Sequence, residues 1–278
     1  MAHINRPITR VVRGQPASDG AGVKMLRIMG TQAFPDLDPF LMLDEFGSDD
    51  PDAYLGGFPD HPHRGFETVT YMLEGRMRHH DNKGNSGDLG PGSVQWMTAG
   101  SGLIHSEMPL QQQGMMRGFQ LWVNLPAKDK MIPPRYQDIA PEAVPVVTRP
   151  GLKMKIITGT SAEGVRGPVG DVATQPLYFD AHLEPFASWV EPLPKGHSAF
   201  IYCYEGEVRL GATTLKRGEL GVLGAGDGIA AEAGGHGARV LLIAGRPLHE
   251  PVERHGPFVM NTRDEIRQAF ADFHAGKF

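Results

Sequence analysis

The chain has 278 residues, with 27 Lys and Arg against 32 Asp and Glu, a formal net charge of −5 at pH 7. The basic residues are scattered, so no stripe of positive potential is available to track phosphate backbones, and direct nucleic-acid binding is disfavoured. Glycine (36) and proline (23) make up about a fifth of the chain, which favours turns and short strands and excludes a helical bundle. No window approaches the 18 or so uninterrupted apolar residues that span a bilayer. The start, MAHINRPITRVV, lacks the apolar stretch of a signal peptide, and the single Cys203 allows no intrachain disulfide. The expectation is a cytoplasmic protein with no membrane association.

In chain order, roughly the first 55 residues form an extension ahead of the first strongly patterned segment. His61-Pro-His63 then precedes the strand-like Glu67-Thr-Val-Thr-Tyr-Met-Leu73, rich in β-branched and aromatic residues. Gly100-Ser-Gly-Leu-Ile-His105-Ser-Glu107 follows, and then the strand-like Gly118-Phe-Gln-Leu-Trp-Val-Asn124. Between about Ala127 and Pro150 five prolines break any regular pattern, which marks a linker. Ala199-Phe-Ile-Tyr-Cys-Tyr204 begins a second strand-rich half, in which Cys203 is expected to be buried and inert. The one helix comes last: Thr262-Arg-Asp-Glu265 fits a capping box, Ile266, Phe270 and Phe273 recur at helical spacing, and Gly276 supplies a stop.

Sliding the chain against itself by 131 positions brings Tyr71, Glu74, Gly75, Gly87, Leu89 and Gly90 onto Tyr202, Glu205, Gly206, Gly218, Leu220 and Gly221 without a gap. The chain therefore reads as two similar β-barrels in tandem. Residues two apart on a strand share a face, so His61 and His63 can aim into a barrel, as can His105 and Glu107. If these two strand ends meet, three imidazoles and a carboxylate converge. Such a mixed N/O set suits a first-row divalent ion: iron first, with copper, nickel, manganese and zinc also compatible. In the shifted copy His61 and His63 fall on Pro192 and Pro194, His105 on His236 and Glu107 on Ala238. The second barrel is therefore expected to lack a metal, unless a small gap brings His197 or Glu232 nearby. His79-His80-Asp81 reads as a solvated strand end. Phe46, Phe58, Trp96, Met97, Met108, Phe119 and Trp122 are candidates for apolar pocket walls, with Asp44 and Glu45 at a rim.

The segments His61-Pro-His-Arg-Gly-Phe-Glu67-Thr-Val-Thr-Tyr, Leu73-Glu-Gly75, Val94-Gln-Trp-Met-Thr-Ala-Gly100, Ile104-His-Ser-Glu-Met-Pro109 and Asp38-Pro-Phe-Leu-Met-Leu-Asp-Glu-Phe46 resemble the pirin family of bicupins. The resemblance implies an all-β fold of two tandem cupin (jelly-roll) barrels with a short C-terminal helix. It places a metal-binding domain over residues 1–130 and a domain without metal ligands over 131–278. It puts His61, His63, His105 and Glu107 at the family's metal-ligand positions, usually occupied by iron. Glu67 fits the general cupin spacing His-X-His-X3-Glu, but by this resemblance it stands behind the ligands, orienting an imidazole.

The resemblance further implies quercetin 2,3-dioxygenase activity, in which a small flavonol-like aromatic is cleaved by O2 with loss of carbon monoxide. A divalent ion lowers the pKa of a bound hydroxyl, and Glu107 is the candidate base to receive that proton. The alternative is a non-enzymatic metal-binding regulator acting through protein partners, as eukaryotic members do. Another cupin activity, such as an isomerase, is a further reading, because one fold hosts many reactions.

Overall fold

The computed structural model describes residues 5–278. Short strands dominate, and two-residue alternation is visible in their burial: Met77, His79 and Asp81 are buried on one face while Arg78 and His80 are exposed on the other. The chain forms two compact units whose segments interleave. One unit takes the described residues up to Gln15, Thr31–Pro39 and Glu142–Pro247; the other takes Pro16–Gly30, Phe40–Pro141 and Leu248–Phe278. A single division at residue 130 does not anticipate this exchange of segments.

Among the described residues, the unit carrying both histidine dyads has two larger sheets and a two-stranded hairpin, Glu253–His255 with Phe258–Met260. A four-stranded sheet runs Phe58–His63, Leu103–Pro109, Met77–Asp81, Ser86–Leu89. A seven-stranded sheet runs Arg135–Ile139, Val94–Thr98, Phe66–Glu74, Met116–Asn124, Phe40–Ser48, Val23–Met29, Gln15–Asp19. Across that second sheet a polar row is set by register alone: Arg27, Asp44, Gln120, Thr70, Gln95 and Asp138 are consecutive cross-strand partners. The row one pair further along is Met25, Phe46, Gly118 and Met72, and Met25, Phe46 and Met72 belong to one buried apolar cluster. Register therefore delivers a polar band inside an otherwise apolar barrel.

The predicted linker contains two strands. Arg135–Ile139 pairs with Val94–Thr98, and Val146–Arg149 pairs with Leu152–Lys155 in the other unit. Both are edge strands, and the five prolines fall outside them, at 133, 134, 141, 145 and 150.

The C-terminal segment completes the histidine-bearing unit. Thr262 caps helix Arg263–His274 in a capping box with Glu265. Ile266 and Ala269 of that helix pack with Phe258, Met260 and Phe278, and Ile104 of the four-stranded sheet lies against them. Arg64 pins this segment: its Nε donates to Ser101 O (2.6 Å), its Nη1 to Asp272 Oδ2 (2.8 Å), and its guanidinium lies 4.4 Å from the Phe278 ring centroid. The buried Lys130 Nζ donates to Gly65 O (2.7 Å), Asn124 Oδ1 (2.6 Å) and Val259 O (3.1 Å), while burial pushes its pKa down to about 7. Gly65 has φ +88°, and a side chain there would collide with Val259 O, so glycine lets the hairpin approach directly behind His63.

The other unit is built on two long strands, Ser198–Leu210 and Gly228–Gly245, around a core that includes Trp189, Ile201, Val208, Leu210, Ala231 and Leu242. Cys203 is fully buried there, its Sγ 3.3 Å from Glu205 O.

The internal repeat holds over its first half and slips in its second. Tyr71 and Tyr202 stand on equivalent central strands, but Gly87–Leu89 lies within strand Ser86–Leu89, whereas Glu219 and Leu220 open a different strand, Glu219–Leu223. The reason is turn length. The hairpin after Leu210 turns through Gly211 and Ala212, while its counterpart turns through residues 81–85. Consequently His236 is not the counterpart of His105. It is exposed in a bend where pairing jumps from Ala233 to Ala238. The strand triplet His61, His105, Asp81 instead matches Trp189, Ala231, Leu210, and the pair Glu107, His79 matches Ala233, Val208.

Candidate metal centre

Strand Phe58–His63 pairs with Leu103–Pro109 so that His105 lies opposite His61. Alternation then brings His63 and Glu107 to the same face. The three imidazoles converge, with ring centroids 4.4 Å (His61 to His105), 4.7 Å (His61 to His63) and 5.0 Å (His63 to His105) apart. Each offers a nitrogen, and these nitrogens lie within 4.8 Å of one another, near twice the ~2.1 Å imidazole–metal bond.

Hydrogen bonds orient two of the rings. His61 Nδ1 lies 2.8 Å from Pro59 O and His63 Nδ1 lies 3.4 Å from Pro257 O. A carbonyl only accepts, so each Nδ1 donates and leaves Nε2 with its lone pair, the tautomer that a metal ligand needs. Burial, with the neighbouring imidazoles, pushes His63 well below the ordinary imidazole pKa, and burial followed by His61 and His79 does the same for His105. Both rings are therefore neutral and ready to coordinate. Among the described residues neither ring nitrogen of the buried His105 has a hydrogen-bond partner. An orphaned imidazole is costly unless something satisfies it, and an ion shared with His61 and His63 would. The residues fit a divalent transition metal.

Glu107 is buried two residues along the same strand but outside the three-nitrogen cluster. Its Oε1 accepts from Thr70 Oγ1 and its Oε2 from Gln120 Nε2, both at 2.8 Å. The polar row of the facing sheet thus holds this carboxylate.

Glu67 does not orient an imidazole. It sits on the face opposite Phe66 and Thr70, where its Oε1 accepts from Thr98 Oγ1 at 2.6 Å, and burial raises its pKa. The expectation for His79-His80-Asp81 also fails: His80 is exposed, but His79 and Asp81 are buried directly opposite Glu107 and His105. His79 stacks on Tyr136 (centroids 5.2 Å apart), with its Nε2 3.5 Å from Asp138 Oδ2. Alternation was the correct rule, but it left one histidine of the pair facing inward.

A cavity of about 440 Å³ opens beside His61 and His63. Of the expected wall residues, Phe58 and Trp122 line it, and so does Asp44. Phe46, Trp96, Met97 and Phe119 are buried elsewhere in the core, Met108 lies at Gly57, and Glu45 is paired with Arg117. Asp19, Arg27, Gln120 and Arg254 also line the cavity and carry no motif that the sequence could reveal.

A family model described as pirin matches residues 22–123, and one described as the pirin C-terminal cupin domain matches 178–278. A pirin-like protein of Caulobacter vibrioides is 54% identical to this chain, covering 98% of it and 99% of the relative. Pirin of Homo sapiens is 43% identical, covering 98% and 94%. A crystal structure of quercetin 2,3-dioxygenase from Acinetobacter baumannii matches with a TM-score of 0.91 at 31% identity, covering 99% of this chain and 98% of that one. No helix among the described residues is long and apolar enough to cross a membrane. With both halves matched and relatives similar from end to end, the chain belongs to the pirin family.

Proposed function

We propose that this protein is a metal-dependent dioxygenase that cleaves a flavonol-type ring with O2. The observation that carries the reading is the convergence of His61, His63 and His105 beside a cavity of about 440 Å³. The likeness to a structure named quercetin 2,3-dioxygenase supports the reaction type.

His61, His63, His105 and Glu107 would hold the ion, iron in the first instance. When bound, such an ion supplies Lewis acidity and redox chemistry towards a hydroxylated aromatic and O2. Phe58 and Met42 offer apolar contact to a flat ligand, and Trp122, edge-on to His63 at 5.2 Å, limits its approach. Gln120 lines the cavity and donates one of its two amide N–H groups to Glu107. Glu107 is the group to accept the proton released by the substrate hydroxyl, and the hydrogen bonds from Thr70 and Gln120 fix its position within the barrel.

The test is oxygen consumption by the metal-loaded protein with quercetin. Metal-dependent uptake of O2 with equimolar carbon monoxide release is expected. Inertness towards flavonols in a fully loaded sample would overturn the assignment in favour of a partner-binding role.

A further inference from the structure

Buried in the histidine-bearing unit is a cation that the proposed reaction does not use. Lys130 is 1% exposed and follows the single helical turn Ala127–Asp129. Glu250 and Glu265 favour its charge from a distance, but their own partners are Ala127 N and Asn261 for the first and the helix cap for the second. What meets Nζ is three oxygens from three separate stretches of chain: Gly65 O, Asn124 Oδ1 and Val259 O. An ammonium carries three N–H donors and no acceptor, so one lysine answers all three. Burying a charge is costly, and a methionine would fill the space without that cost. Only the ammonium ties the three stretches together at one point.

Two of those stretches decide how His63 stands. Gly65 follows it on one side, and Val259 follows Pro257 on the other, whose carbonyl lies 3.4 Å from His63 Nδ1. The two stretches meet through a short parallel bridge between Arg64 and Phe258, with Arg64 N to Pro257 O at 3.4 Å and Val259 N to Arg64 O at 3.1 Å. Phe258 and Met260 also pack in an apolar cluster, but such packing is non-directional. Lys130 braces the bridge, because the same Nζ holds Gly65 O and Val259 O. At 3.4 Å the contact of His63 with Pro257 is near the outer limit of a hydrogen bond, so a small displacement of the hairpin releases Nδ1. The ring proton is then free to move to Nε2, which takes away the lone pair that coordination needs. His61 depends on no such brace, since its Nδ1 lies 2.8 Å from Pro59 O on the same strand.

We propose that Lys130 is a positioning residue for His63: by clamping the carbonyls of Gly65 and Val259 together, it keeps Pro257 O on His63 Nδ1 and so fixes the imidazole in the tautomer that coordinates a metal. The proposal rests on the reading of His63 as a ligand and is independent of the reaction that follows.

The experiment records long-range ¹H–¹⁵N spectra of the histidine rings in the metal-free full chain, wild type and Lys130→Met, and then titrates each with zinc(II). A pH of about 6 keeps the lysine charged and His63 neutral. Wild-type His63 should show one tautomer, protonated at Nδ1. In Lys130→Met, His63 should interconvert between tautomers while His61 keeps its wild-type signals, and zinc affinity should fall by about 10- to 100-fold. An unchanged His63 in Lys130→Met, or His61 and His63 disturbed alike as general loosening would do, overturns the proposal. Where Lys130→Met does not fold, the wild type decides. Lys130 Nζ protons protected from exchange and scalar-coupled to the carbonyl carbons of Gly65 and Val259 support the clamp. A wild-type His63 that interconverts between tautomers, or Nζ protons that exchange as fast as those of the exposed Lys153, refutes it. A wild type that binds no zinc while His63 holds its tautomer rejects the metal centre and the proposed reaction but keeps the clamp.

Discussion

In the histidine-bearing barrel, three neighbouring strands present His61, His105 and Asp81 side by side, with Glu107 opposite His79. The matching strands of the second barrel present Trp189, Ala231 and Leu210, with Ala233 opposite Val208. One strand frame thus encloses either a titratable cluster or a tryptophan surrounded by small and aliphatic side chains. The apolar version needs less support: Trp189 Nε1 donates to the buried Glu191 at 3.1 Å, Ala162 N and Arg149 Nη2 also donate to that carboxylate, and the rest packs. The polar version needs a great deal of it. Every buried imidazole or carboxylate costs free energy unless it is satisfied. Thr70 and Gln120 serve Glu107, Pro59 and Pro257 serve two imidazoles, and His105 has no hydrogen-bond partner among the described residues. The C-terminal hairpin and helix, which belong to this unit, supply Pro257, Arg254 and the Asp272 anchor.

The most damaging way to break this contrast is His105→Ala. It removes the nitrogen donor at the centre of the triplet, and metal affinity should fall by more than about 100-fold, read by elemental analysis after dialysis. The same assay on His236→Ala should show no change. Glu107→Gln should keep most of the metal yet slow turnover by about 10²- to 10⁴-fold, measured as oxygen uptake. Unchanged kinetics would remove the base role.

On the apolar side, Trp189→Ala should cost about 3–5 kcal/mol of stability by opening a cavity, with metal content untouched, as denaturant melts and metal analysis would show. The smallest effect concerns the C-terminal anchor. Hydrogen bonds from Arg64, Gln268 and Lys277 hold Asp272 at about 2, below the ordinary carboxylate range. A depressed carboxylate contributes stability above its unfolded pKa and loses it as pH falls through the folded value. Amide exchange of helix Arg263–His274 should therefore accelerate as pH drops from 4 to about 2, once corrected for intrinsic rates. In Asp272→Asn it should already be faster at neutral pH and show no such step.

Much of this frame was legible in the sequence because its signals are local. His61 and His63, like His105 and Glu107, are spaced by two, and strand geometry alone sends each dyad to one face. The capping box of Thr262 and Glu265 announced the helix for the same reason. What stayed hidden depends on pairing between distant strands. His79 and Asp81 are buried because Glu107 and His105 lie across from them, which no local pattern around residue 80 encodes. Arg254 joins the pocket only because the chain's end returns to the unit that its middle began. The repeat misled at His236 because turn lengths differ between copies while strand faces are conserved.

X-ray absorption at the edge of the metal bound by the wild-type protein puts the account to its most direct trial. Three imidazole nitrogens and at least one oxygen at about 2.0–2.2 Å are predicted. A spectrum lacking imidazole scattering, or fitted by one ring alone, would contradict the metal centre and everything proposed for the cavity beside it.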